Sequence, residues 1–130
     1  NGLRPEEHDF IYGDVFEWLR RLHRKGRTFD VVLVDPPTFS QSSESGVFRV
    51  ERDYGRLATA ALAVLRPGGV LFCSSNAAGW AAEGFLTQIG LAVKQAGRSV
   101  LRQLYCPQPP DFRISRREPA YLKTVWMRVS

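Results

Sequence analysis

Two hydrophobic periods run through this chain and divide it into alternating elements. Asp9-Phe10-Ile11-Tyr12 reads as a short strand, and Gly13-Asp14 then turns the chain. Val15, Trp18, Leu19 and Leu22 fall at helical spacing, while Glu17, Arg20, Arg21 and Arg24 fall on the opposite face, which predicts a helix from about Val15 to Lys25. Gly26 stops it. Phe29 to Val34 is an apolar run, interrupted only by Asp30 and rich in β-branched residues, the pattern of a strand buried on both faces in a parallel sheet. Gln41 to Val50 is polar and Ser-rich, and reads as a mobile loop. Tyr54, Leu57, Ala58, Ala61, Leu62 and Leu65 form one stripe, which predicts a helix from Asp53 to Leu65 ended by Arg66-Pro67-Gly68-Gly69. Val70 to Ser75 is a second buried strand, closed by Asn76, and Ala81 to Ala96 a third helix. Val100 to Tyr105 and Leu122 to Val129 read as a final antiparallel pair of strands, joined by the Pro- and Arg-rich segment Cys106 to Pro119. Strands alternating with helices imply an α/β sheet.

The chemistry concentrates at Asp35-Pro36-Pro37-Thr38-Phe39-Ser40. The acid sits at the carboxyl end of the central strand, where open α/β sheets bind ligands. Proline has a fixed φ and no N–H to donate, so two prolines end the ladder and stiffen the turn. A carboxylate, free carbonyls and the Phe39 ring held in one rigid loop suit a planar base, by hydrogen bonds to its N–H groups and stacking on its face. The same tripeptide also serves as an ordinary strand-ending turn.

Composition narrows the class. The 130 residues fit one domain, and 44% hydrophobic residues allow a real core. No uncharged apolar run reaches membrane-spanning length. Cys73 and Cys106 match no metal or redox spacing, and neither do His8 and His23, so no metal is expected and a reduced, cytoplasmic compartment is. The net charge of +5 lies in the second half: residues 66–130 hold nine Lys/Arg against three Asp/Glu, the first half nine against ten. A basic half suits a polyanion such as nucleic acid. Arg113, Arg116, Arg117 and Lys123 stand with Phe112 and Tyr121 on or beside one Pro-rich loop, a mixture that suits RNA phosphates and unstacked bases.

Gly13-Asp14-Val15-Phe16, the Asp35-Pro36-Pro37-Thr38-Phe39-Ser40 loop, Asp53-Tyr54, Leu65-Arg66-Pro67-Gly68-Gly69 and Ser74-Ser75-Asn76 together resemble the later part of a class I S-adenosylmethionine-dependent methyltransferase. Within that superfamily the loop is similar to that of bacterial 23S ribosomal RNA methyltransferases. The resemblance implies an incomplete Rossmann-like α/β sheet, mostly parallel, with a final antiparallel pair and helices on both faces. It implies that Asp14 receives the adenine amino group of S-adenosylmethionine, that Val15 and Phe16 line the adenine slot, and that Asp35 lies near the methionine end. Asp35, Pro36, Pro37 and Phe39 match the substrate loop, with Asn76 beside the base. Asp14 also explains itself as a helix cap, and Asn76 as a turn residue.

Two departures sharpen the expectation. The glycine-rich cofactor-binding start of the family is missing, so residues 1–130 are expected to be the carboxyl-terminal part of one catalytic domain and inactive alone. Losing the intervening strands leaves Val31 to Val34 with an unpaired apolar edge, which predicts an oligomer or a rearranged strand order. Cytosine-C5 enzymes need a nucleophilic cysteine where this chain has Asn76, while Cys73 falls inside a strand. The expected reaction is therefore methylation of a base nitrogen of ribosomal RNA, guanine first. Cytosine-C5 methylation and a catalytically silent RNA-binding domain are the alternatives.

Overall fold

The structure is a computed structural model and describes residues 2–112, 114–117 and 119–130. After a 3₁₀ turn at Pro5–Glu7 come α1 (Val15–Arg24), β1 (Phe29–Val34), β2 (Phe39–Ser42), β3 (Gly46–Arg49), α2 (Val50–Leu62), β4 (Leu65–Ser75), α3 (Ala82–Gln95), β5 (Val100–Pro107) and β6 (Lys123–Val129). The main sheet runs in the order β1-β4-β6-β5. β1 and β4 are parallel, and β6 lies antiparallel between β4 and β5. β2 and β3 form a separate antiparallel hairpin.

Register explains which face is buried. Val32 and Val34 of β1 stand beside Leu71 and Cys73 of β4, which stand beside Met127 and Val125 of β6. These residues share one core with Tyr54, Leu57, Ala58 and Ala61 of α2 and Phe85, Ile89 and Val93 of α3, and Phe16 and Leu19 of α1 pack against it. Tyr54, Trp80 and Phe85 meet there ring to ring, with centroids 5.2–5.6 Å apart, the separation favoured by tilted and edge-on aromatic pairs. All three helices thus lie on one side, a correction to the expectation of helices on both faces. The other face carries Val31, Leu33, Phe72, Leu104 and Trp126, with Leu33 64% and Trp126 40% exposed. Phe72 and Trp126 pair across β4 and β6, with rings 4.5 Å apart.

The same observation corrects the reading of β1. Its run is buried on one face only, because among the described residues no helix covers the other and no strand pairs with its free edge. Residues 9–12 do not form the expected first strand. With no partner beside it, the segment stays extended and open, and Tyr12 is fully exposed. Its carbonyl accepts a hydrogen bond from Trp18 Nε1 at 3.1 Å.

Local chemistry accounts for three further differences. The polar stretch after Ser40 is a β-hairpin rather than an irregular loop. Ser42 Oγ accepts from the N–H groups of Glu44 and Ser45, both at 3.1 Å, and Gly46 takes a φ of +74°. Helix α2 starts three residues earlier than its apolar stripe suggests, because the Asp53 carboxylate reaches back to the Arg49 N–H at 2.8 Å. Pro67-Gly68-Gly69 lies inside β4 and makes a bulge there: β1 advances from Phe29 to Val31 while β4 advances from Leu65 to Val70. A Cβ on Gly69 would sit 2.9 Å from the Asp30 carbonyl, so only glycine permits this approach. Arg98 then ties the layers at this end, donating to the carbonyls of Leu62, Leu65, Arg66 and Ser130.

Candidate functional site

A cavity of about 530 Å³ opens at the carboxyl end of β1. Asp14, Val15 and Phe16 at the start of α1, Asp35 to Pro37 after β1, and the hairpin residues Ser42 and Ser45 line it. The fold therefore brings the four expected cofactor residues, Asp14, Val15, Phe16 and Asp35, onto one cavity with the two prolines. Its inner wall is apolar, with Leu19, Val34, Phe48, Leu57 and Ala61.

Asp14 does two jobs. Its Oδ1 caps α1 by accepting from the Glu17 N–H at 3.0 Å, and its Oδ2 accepts from the Ser45 hydroxyl at the hairpin tip. Burial opposes its charge, but hydrogen bonds from the Ser42 and Ser45 hydroxyls and the Phe16 N–H outweigh burial and hold its pKa below the usual value. The cap and the site are the same carboxylate, and an ionised carboxylate has further lone pairs to offer a ligand. Phe16 packs with the Phe48 ring, centroids 6.2 Å apart, and with the Arg56 guanidinium, 4.1 Å from its ring centre.

Asp35 is exposed, with one oxygen accepting from the Ser74 hydroxyl at the end of β4. Beneath it the buried Tyr54 hydroxyl bridges the carbonyls of Val34 and Ser74 at 3.0 and 2.8 Å. It fastens the carboxyl ends of the two parallel strands together and fixes where Asp35 begins. Cys73 lies inside β4 with no exposure, and burial pushes its thiol up to about 12, against a hydrogen bond from Tyr54 that pulls the other way. A thiol in that position is a structural group and not a nucleophile.

A second hollow of about 330 Å³ lies on the far side of the proline turn. Thr38, Arg49, Val50, Glu51 and the segment Ala77 to Gly79 line it. Phe39 is 51% exposed and stands opposite Arg49 across the hairpin, with the Arg49 guanidinium 5.5 Å from its ring centre. Asn76 is exposed where β4 ends, directly before this lining. The sequence reading missed Arg49 and Glu51, since it placed Arg49 in a mobile loop and left Glu51 unassigned between that loop and the helix. The alternation of Val47, Phe48 and Arg49 was the available signal for a strand.

Of the expected RNA-binding residues, Arg116 and Arg117 are exposed, with Phe112, Ile114 and Tyr121 exposed on the same loop. Arg113 falls outside the described residues. Lys123 is placed differently: it is 5% exposed, and its ammonium donates to the Ala77 carbonyl at 2.8 Å and the Tyr121 carbonyl at 2.6 Å. It joins the wall of the second hollow to the end of the arginine-bearing loop and does not reach outward with the arginines. No group of three His, Cys, Asp or Glu placed to hold a metal occurs among the described residues, and no described helix is long and apolar enough to cross a membrane.

No family model matches the chain. Individual relatives do. It is 35% identical, over 132 aligned residues, to a ribosomal RNA large subunit methyltransferase of Deinococcus radiodurans, covering 98% of this chain and 32% of that protein. It is 32% identical over 111 residues to the ribosomal RNA large subunit methyltransferase K/L of Shewanella loihica, covering 84% of this chain and 15% of that protein. Over 77 residues, 58% of this chain and 10% of the relative, it is 43% identical to the K/L enzyme of Pseudomonas aeruginosa. The chain thus spans about a third or less of these relatives. Among solved structures it matches SMU.776, described as a methyltransferase complexed with SAH, at a TM-score of 0.74 and 28% identity, over 89% of this chain and 30% of that one. A SAM-dependent methyltransferase from Streptococcus mutans matches at a TM-score of 0.70 with the same identity, over 89% of this chain and 29% of that one. The chain carries part of the class I S-adenosylmethionine-dependent methyltransferase fold and is a relative of the ribosomal RNA large subunit methyltransferases.

Proposed function

We propose that this chain is the part of a ribosomal RNA methyltransferase that holds the adenine side of S-adenosylmethionine and presents the acceptor base. The observation that carries this reading is the cavity of about 530 Å³ on which Asp14, Val15, Phe16 and Asp35 converge. The donor set fits the cofactor: an ionised, half-buried acid for an exocyclic amino group, an apolar and aromatic wall for a planar ring, and a second carboxylate at the sheet end. Bound there, S-adenosylmethionine supplies an electrophilic methyl group on a sulfonium. Asp35, anchored by Ser74, would offer a negative charge to a sulfonium held in this cavity, and Pro36 and Pro37 hold the turn rigid. Methyl transfer asks chiefly for in-line placement, and a rigid turn between two cavities serves that need.

The acceptor is a nitrogen of a guanine, held near Phe39 and Asn76, with Arg113, Arg116 and Arg117 meeting the RNA backbone. The buried, protonated Cys73 favours a ring nitrogen, which brings its own lone pair, over cytosine C5, which needs a thiolate. The test uses a protein containing this chain, labelled S-adenosylmethionine and unmodified ribosomal RNA, followed by digestion to nucleosides. Label in a methylguanosine is the expected result. Label in 5-methylcytidine would overturn the nitrogen reading, and cofactor binding without labelled RNA would overturn RNA as the acceptor.

A further inference from the structure

Consecutive residues of one rigid stretch line two separate hollows: Asp35 to Pro37 the first, Thr38 the second. If the first holds the methyl donor, the second lies within one residue's reach of the same turn. We infer that the second hollow receives the acceptor base and that the Glu51 carboxylate reads it as guanine. This rests on the methyltransferase reading given above.

Four observations converge on it. The volume, about 330 Å³, is that of a small ligand pocket. The exposed Glu51 carboxylate makes no hydrogen bond among the described residues, its charge acts on the buried Lys123 ammonium, and it faces Gly79 across the hollow, its Oε1 3.6 Å from where a Cβ on that glycine would stand. Arg49, which lines the hollow, also lies over the exposed Phe39 ring, a guanidinium and aromatic pair of the kind that holds unstacked RNA bases. Finally, the back wall at Ala77 is fixed by buried Lys123, whose other partner is Tyr121 at the end of the arginine-bearing loop. An RNA strand lying along that loop is led to this hollow.

The choice of guanine is a matter of donors and acceptors. A carboxylate only accepts. Guanine alone presents two adjacent donors on its pairing edge, the ring N–H and the exocyclic amino group. Adenine and cytosine present one amino donor beside a ring acceptor, which would face the second carboxylate oxygen lone pair to lone pair.

The test measures binding of the chain to a short single-stranded RNA with one guanosine, against the same RNA with inosine, which lacks only the exocyclic amino group. A good bidentate pair discriminates by about 5- to 150-fold, so the guanosine RNA is expected to bind roughly tenfold tighter. In Glu51→Gln the preference should fall to within about twofold, with S-adenosylmethionine binding unchanged. Arg49→Ala should weaken both RNAs alike. An unchanged preference in Glu51→Gln, or none in the unaltered chain, overturns the role of Glu51 while leaving the methyltransferase reading intact. A guanine preference that depends on Glu51, in a longer protein that contains this chain and fails to bind S-adenosylmethionine, supports the base pocket and counts against the cofactor assignment instead.

Discussion

At the scale of single residues, the site rests on groups that serve fold and function together. Asp14 caps α1 and also lines the cavity, so the cap is observed and leaves the same carboxylate placed for the adenine role proposed above. Tyr54 reads in the sequence as one more apolar position on a helix stripe. Its hydroxyl turns out to bridge the Val34 and Ser74 carbonyls beneath Asp35. Tyr54→Phe keeps the ring contacts and removes the single hydroxyl proton that the two carbonyls share. The expected cost is about 1–2 kcal/mol in urea unfolding, and a change within experimental error would show that the bridge contributes nothing. Lys123 illustrates the converse. Its charge is plain in the sequence, but β6 points it inward at two carbonyls.

At the scale of elements, the β2–β3 hairpin is held by carboxylates. Asp14 accepts from Ser45 at its tip, and Asp53 accepts from Arg52 and from the Arg49 N–H at its base. Both acids have folded pKa values below the usual 3.8: Asp14 against the opposing effect of burial, through Ser42 and Ser45, and Asp53 chiefly through Arg52. A depressed folded pKa gives stability that is complete above the unfolded value and lost as pH falls through the folded one. The hairpin is therefore expected to hold at pH 5 and above and to loosen below about pH 4. NMR shifts of Val47 and Phe48 should move in that range, and Asp14→Asn should remove part of the change. Shifts that stay flat to pH 2 would overturn this account.

At the scale of the whole molecule, one sheet face is covered and the other is open. Val31, Leu33, Phe72, Leu104 and Trp126 form an apolar surface that continues to the unpaired edge of β1. Water-exposed apolar area of this kind drives association, and a free strand edge offers a template for pairing. The isolated chain is expected to self-associate, with a sedimentation mass above 14.7 kDa that rises with concentration. Leu33→Lys places a charge on that surface without touching the buried core, and should shift the chain toward monomer while leaving its unfolding transition in place. A monomer at all concentrations would remove this prediction.

The sequence by itself determined the elements and their chemistry, because both are written locally. Helical stripes marked α1, α2 and α3, apolar runs marked the four strands of the main sheet but not the β2–β3 hairpin, and Asp35-Pro36-Pro37 marked the turn at the sheet end. It also brought together Asp14, Val15, Phe16 and Asp35 through family likeness, and the fold places all four on one cavity. What the tertiary structure decided depends on partners that local pattern does not encode. The apolar run of β1 looks the same whether one face or two are covered, and residues 9–12 look like a strand whether or not another strand lies beside them. Glu51 and Arg49 became candidates only when the hairpin folded back and set them across from Ala77 to Gly79, about 30 residues away in the chain. A periodicity reports which side of an element avoids water, and only the assembled sheet settles what that side meets.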